Sequence, residues 1–103
     1  MSILNQFFSN TANNNLQTLI AKGAFLVDVR TPEEFKEGNV KGSTNIPLDL
    51  IPFQLDQFKG KENIVVFCRS GNRSGQAKLI LEQNGLTNVT NGGTWDQVSA
   101  YVN

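Results

Sequence analysis

The chain of 103 residues has no histidine and a single cysteine, Cys68. Without imidazole, neither a Cys–His nor a Ser–His pair can supply a base near neutral pH. A four-ligand zinc site of the Cys/His kind is excluded as well, and one thiol cannot close an intramolecular disulfide. No excess of either charge exists, since nine Lys plus Arg balance nine Asp plus Glu. A broad positive field for nucleic acid or a membrane surface is therefore absent, and neither is expected as a partner. No apolar run approaches the ~20 residues of a membrane helix. The opening "MSILNQFFSN" has no basic residue of the kind that starts a secretory signal. The expectation is a soluble cytoplasmic chain with one domain over residues 1–103, large enough to bury a core without staples.

What is present is an alternation of strand and helix signals. "NTANNN" is polar and reads as a loop entering a helix, "LQTLIAKG", whose Leu16, Leu19 and Ile20 have helical spacing and whose end is marked by Gly23. "AFLVDV" is a short apolar run suited to a strand covered on both faces. "TPEEF" opens a helix: Thr31 caps, Pro32 suits the first turn, and Glu34 completes a capping box. "STNIP" predicts another short strand, and "IPFQLDQF" a helix from about Phe53. "ENIVVF" is a second continuous apolar strand, and "SGQAKLILEQNG" a helix with Ala77, Leu79, Ile80 and Leu81 apolar. "TNVTN" fits a last edge strand, and "TWDQVSAYV" a closing helix capped by Thr94. This order implies an α/β fold with a mainly parallel central sheet flanked by helices.

In such sheets ligands bind beyond the carboxyl ends of the strands. Two strands end in chemistry: "LVDVR" in Asp28 and Arg30, and "IVVF" in Cys68. After Cys68 the chain must turn quickly into a helix through "CRSGNRSG". Backbone N–H groups in so short a turn can converge as an anion-binding nest, and the helix adds its positive N-terminal end. Gly71 allows the positive φ this curvature needs, while Arg69 and Arg73 add permanent charge. These features favour a thiolate at Cys68 below the ordinary thiol value of about 8.5, without a histidine. A thiol merely packed at a strand end is the competing reading, as free cysteine is commonly buried. Asp28 and Arg30 have two readings, an ion pair bracing the first strand, with Glu34 as a further partner, or a direct place at the pocket. Trp95 and Phe58 are assigned to the core.

The chain resembles the rhodanese-like sulfurtransferase domains over roughly residues 14–100. The motifs that carry the resemblance are "LVDVRTPEEF", "GNVKGSTNIP", "VVFCRSGNRS" and "NGGTWDQV", in the family's order. It implies a rhodanese-like fold and transfer of sulfane sulfur from thiosulfate or a similar donor to a thiophilic acceptor, which is a small molecule or a partner protein. Cys68 would carry the sulfur as a persulfide, with no cofactor and no metal. The loop Arg69, Ser70, Gly71, Asn72 and Arg73 would hold it, with the arginines orienting the anionic donor. Asn39 stands where the family often has histidine, at a position that supports the fold. Two other classes remain open, a non-enzymatic persulfide carrier and a cysteine phosphatase or arsenate reductase. The last is disfavoured by spacing: C-x5-R would put arginine at 74, where Ser74 stands, and Arg73 comes one residue early. The shorter loop makes a cradle narrower than a tetrahedral phosphate needs. Arg73 is expected to satisfy inward-facing carbonyls or a carboxylate such as Asp28, and Arg69 to project outward.

Overall fold

The computed structural model describes residues 15–102. The "NTANNN" loop lies outside the described residues except for Asn15. Helix α1 (residues 15–21) ends where Gly23 donates to Ile20 O at 3.0 Å and Ala24 to Leu19 O at 3.1 Å. This pair of bonds closes the last turn in a Schellman motif. Strand β1 (Phe25–Asp28), helix α2 (Pro32–Glu37), strand β2 (Thr44–Asn45), strand β3 (Ile64–Cys68), helix α3 (Asn72–Gln83), strand β4 (Val89–Thr94) and helix α4 (Trp95–Ala100) follow. The four strands form one sheet in the order β2-β1-β3-β4, and every neighbouring pair is parallel. The α/β fold with a parallel sheet is as expected.

All five residues of β3 are buried, because α3 covers one face and α1 with α4 the other. Strand side chains alternate between faces. Ile64, Val66 and Cys68 therefore join Ala77 and Leu81 of α3, whereas Val65 and Phe67 join Val98 of α4 and Leu16 and Leu19 of α1. Cys68 thus belongs to the α3 face by the parity of its strand. Phe58 is fully buried as predicted, and its ring meets Phe25 edge-on at 5.7 Å.

Three details differ from the sequence reading. "IPFQLDQF" forms two short 3-10 turns, Leu48–Phe53 and Leu55–Phe58, in place of one helix. Pro52 inside the first of them lacks an N–H and blocks α-helical continuation, leaving Phe53 83% exposed. Leu79 is also exposed, at 59%, since α3 buries Ala77 and Leu81 on its inner face. Trp95 is only partly buried and lies against Gly38, where a Cβ would come within 3.1 Å of its ring. The capping box at Thr31–Glu34 is present as predicted, and Thr94 caps α4 in the same way with Gln97. No helix among the described residues is long and apolar enough to cross a membrane.

Candidate active site

The carboxyl end of β3 delivers Cys68 to a very tight turn. Helix α3 begins at Asn72, so only Arg69, Ser70 and Gly71 separate strand from helix. Arg73 therefore sits in the first turn of α3 and not at the end of a longer loop, as the sequence reading had it. Gly71 adopts φ +96° as the N-cap residue, and a Cβ there would be 3.6 Å from Gly93 Cα. That conformation turns the Gly71 N–H inward, onto Cys68 Sγ at 3.0 Å. Ser74 Oγ lies 3.4 Å from the same sulfur. Burial pushes the Cys68 thiol up, but the Ser74 hydroxyl and the N–H groups of Ser74, Ser70 and Gly71 outweigh it. The net result is a thiol held below its ordinary value, by hydrogen bonds to the charged form.

Cys68 itself is 0% exposed. Arg69 and Ser70 are the exposed residues that follow it, and Asn72 is exposed at the start of the helix. Two clefts flank the turn. One, of about 410 Å³, has Arg69 beside Arg30, Trp95, Glu37 and Asp96. The other, of about 860 Å³, runs along Ser70, Gly71 and Asn72 toward Asn91, Gly93 and Lys22. Arg69 carries no ion pair among the described residues and projects outward as expected.

Arg73 departs from expectation in its partner. Its guanidinium takes Glu34, not Asp28, with Nη1 to Oε1 at 2.7 Å and Nη2 to Oε2 at 3.0 Å. This fork-to-fork pair ties α3 to α2. Glu34 Oε1 also accepts from the Thr31 N–H and hydroxyl at 3.0 and 3.1 Å, so the capping carboxylate and the arginine's partner are one group. The Arg73 guanidinium beside it, with Thr31, lowers the Glu34 carboxyl to about 2.

Asp28 and Arg30 form the brace, and Glu34 is not its third member. Asp28 is 0% and Arg30 4% exposed. Arg30 gives Asp28 its backbone N–H at 2.9 Å, Nε at 3.0 Å and Nη2 at 2.7 Å. Its Nη2 also donates to Gly38 O at 2.7 Å, and its guanidinium carbon stacks 4.6 Å from the Trp95 ring centroid. Arg30 also borders the cleft that holds Arg69. Asn45 bridges β2 to this end through Asp28 O and Arg30 O, each at 2.9 Å. Asn39 donates to Phe35 O at 2.9 Å, closing the end of α2, which is a fold-supporting contact.

The sequence reading missed Ser74 and Asn91. Ser74 is fully buried in the first turn of α3, where serine alone signals little. Asn91 closes "TNVTN", which the sequence reading took as an edge strand without assigning it any chemistry. In fact β4 bulges at this point: Val66 pairs with Asn91 and Phe67 with Gly93, leaving Gly92 as an extra residue. A Cβ at Gly92 would come within 2.9 Å of both Val65 and Val98, so only glycine fits the bulge. The bend brings the Asn91 amide to Gly71 O at 3.1 Å and to Ser74 Oγ at 2.7 Å.

Comparison with known proteins gives consistent matches. The family model for the rhodanese-like domain matches residues 12–94. A sulfurtransferase of Allochromatium vinosum is 39% identical over 66 residues, covering 64% of this chain and 62% of the relative. The thiosulfate sulfurtransferase PspE of Escherichia coli is 39% identical over 69 residues, covering 65% of this chain and 66% of the relative. The chain thus matches just under two thirds of the length of these relatives. Among solved structures, an E. coli rhodanese with anions superposes with a TM-score of 0.66 at 35% identity, covering 73% of this chain and 91% of that one. With its parallel sheet and with the loop motif of Cys68 inside the matched span, the chain belongs to the rhodanese-like domain family.

Proposed function

We propose that the protein is a sulfurtransferase that carries sulfane sulfur on Cys68. The observation that carries this reading is the buried sulfur with the Gly71 N–H at 3.0 Å and the Ser74 hydroxyl at 3.4 Å, at the junction of β3 and α3. A thiolate held this way is a nucleophile available near neutral pH without a histidine. In the first half of the reaction, Cys68 Sγ attacks the outer sulfur of thiosulfate. A new S–S bond forms, the donor's S–S bond breaks, and sulfite leaves with the electron pair. The product is a persulfide whose charge sits on the outer sulfur. In the second half, a thiophile such as cyanide attacks that outer sulfur. The electron pair of the S–S bond returns to Sγ, and thiocyanate departs.

Arg69, exposed at the turn, meets the dianion on its way to the sulfur. The N–H groups of the turn receive the outer sulfur once it is attached, as a nest does for any small anion. Names of relatives support the same chemistry, since one is a thiosulfate sulfurtransferase. The geometry speaks against phosphate chemistry: Arg73, the arginine of the helix's first turn, is committed to Glu34 through both terminal nitrogens and so is not free to clamp a phosphoryl group. Intact-mass measurement after incubation with thiosulfate tests the proposal. A gain of one sulfur atom, removed by cyanide, is expected. A chain that gains no sulfur from thiosulfate or from a persulfide donor is not a sulfurtransferase.

A further inference from the structure

The hydroxyl of Ser74 has two suitors and one proton. A serine hydroxyl donates once and accepts with its lone pairs. Ser74 Oγ lies 2.7 Å from Asn91 Oδ1 and 3.4 Å from Cys68 Sγ. An amide oxygen cannot donate, so the bond to Asn91 uses the Ser74 proton. The orientation of that amide follows from its other contacts. Asn91 Nδ2 donates to Gly71 O at 3.1 Å, and Oδ1 accepts from the Gly93 N–H at 2.9 Å; the reverse orientation would set donor against donor.

While its proton is on Asn91, Ser74 can only accept from the sulfur, which requires a neutral S–H. A thiolate has no proton to offer, and it would then face an oxygen lone pair. The hydroxyl must rotate toward Sγ when the sulfur is charged. Rotation leaves no orphan, because Asn91 Oδ1 keeps the Gly93 N–H. We propose that Asn91 is a positioning residue for the chemistry of Cys68, acting as the alternate acceptor that holds the Ser74 proton whenever Sγ is uncharged.

The consequence for catalysis rests on the sulfur-transfer reading above. Thiolate attack moves charge from Sγ to the outer sulfur, and the Ser74 proton returns to Asn91. When the acceptor removes the outer sulfur, charge returns to Sγ and the hydroxyl turns to meet it. Ser74 thereby stabilises the leaving thiolate in the second half-reaction, without being held against a persulfide that does not need it. Charged groups around the sulfur and its turn are Asp28 at the end of β1 with Arg30 after it, Glu34 and Glu37 of α2, Arg69 of the turn, Arg73 of α3, Asp96 of α4 and Lys22 just after α1. β4 brings none, so Asn91 acts through its amide alone.

The test is the pH dependence of Cys68 alkylation by iodoacetamide in the wild type, Ser74→Ala, Asn91→Ala and the double variant. Removing a hydrogen bond to a charged group should raise the inflection in Ser74→Ala by about one pH unit. Asn91→Ala removes the competing acceptor and should lower it, and this shift should vanish when Ser74 is already alanine. Asn91→Asp, which keeps an acceptor and strengthens it, should raise the inflection, and by less in the Ser74→Ala background. If the Asn91 substitutions have no effect, or the same effect with and without Ser74, the proposal is overturned and Asn91 only braces the turn. The measurement uses no sulfur donor. A protein that refuses thiosulfate would sink the sulfurtransferase reading and leave this result readable.

Discussion

The ends of β1 and β3 are neighbours in the sheet and both carry polar chemistry, yet they are built in opposite ways. At the end of β1, every buried side-chain polar atom is paired. Arg30 spends Nε and Nη2 on Asp28 and Gly38 and its face on Trp95, and no buried side-chain polar atom among the described residues lacks a partner. At the end of β3, the donors converge on one atom that can change its charge and form a bond. Charged residues at a strand end thus act as a brace when their buried atoms satisfy one another, and a strand end is a candidate site when donors converge on an atom that can still form a bond. By that criterion the strand ends divide the labour, β1 holding the frame and β3 presenting the sulfur proposed as the nucleophile.

The sharpest break of this comparison is at the sulfur. Cys68→Ser is expected to abolish sulfur transfer while circular dichroism and the melting temperature stay close to wild type, because oxygen replaces sulfur at little change in shape. Retained transfer would remove the mechanism; unfolding would place Cys68 with the braces. The matching experiment at β1 is Asp28→Ala, which leaves the Arg30 charge buried without its partner. Removing one member of a buried pair costs about 3–5 kcal/mol, so denaturant unfolding should show a large loss of stability. A loss below ~1 kcal/mol, as at an exposed pair, would show that the β1 end is no brace.

Finer resolution comes from the arginines. Arg73→Ala should lower stability and kcat together, as α3 loses its tie to α2 and the turn loosens. The cost is about 1 kcal/mol and no more, since the Arg73 and Glu34 side chains are 33% and 24% exposed. Arg69→Ala should leave the melting temperature unchanged and raise the KM for thiosulfate about fivefold, the mark of lost ground-state binding. Thermal melts paired with steady-state kinetics decide the assignment, and the reverse pattern would exchange the two roles.

The smallest effect is in acid. The folded Glu34 carboxyl titrates near 2 and an unperturbed one near 4.5. A depressed acid contributes its full stabilisation above the unfolded value, and the contribution fades as pH falls from about 4.5 toward 2. Denaturant midpoints followed from neutral pH into that window should therefore fall more steeply for wild type than for Glu34→Gln. Parallel curves would mean that the Arg73–Glu34 pair adds nothing to stability.

Local signals in the sequence carried a good deal of this. The short apolar runs "AFLVDV" and "ENIVVF" suited covered strands, and "TPEEF" had its cap, its proline and its box residue within one turn. Cys68 at the end of such a strand, followed by Gly71, located the turn. Interactions between residues near in sequence, such as Asp28 with Arg30, were legible too. Where a reading went astray, the reason was competition between partners. Glu34 had two candidates for its carboxylate and Arg73 two for its guanidinium, and spacing along the chain does not rank them.

The order of strand and helix and the tight turn after Cys68 were therefore determined by the sequence itself, because they depend on period, capping and local backbone conformation. Tertiary structure decided the rest. The Arg73–Glu34 tie spans 39 positions, and the hydrogen bond from Ser74 to Asn91 spans 17. Such contacts exist only once α2, α3 and β4 have packed around the same strand end, and the bulge at Gly92 then turns one amide toward the sulfur's hydroxyl partner. Hydrogen bonds of this kind depend on angles and distances of tenths of an ångström, which packing sets and which no local pattern of residues encodes.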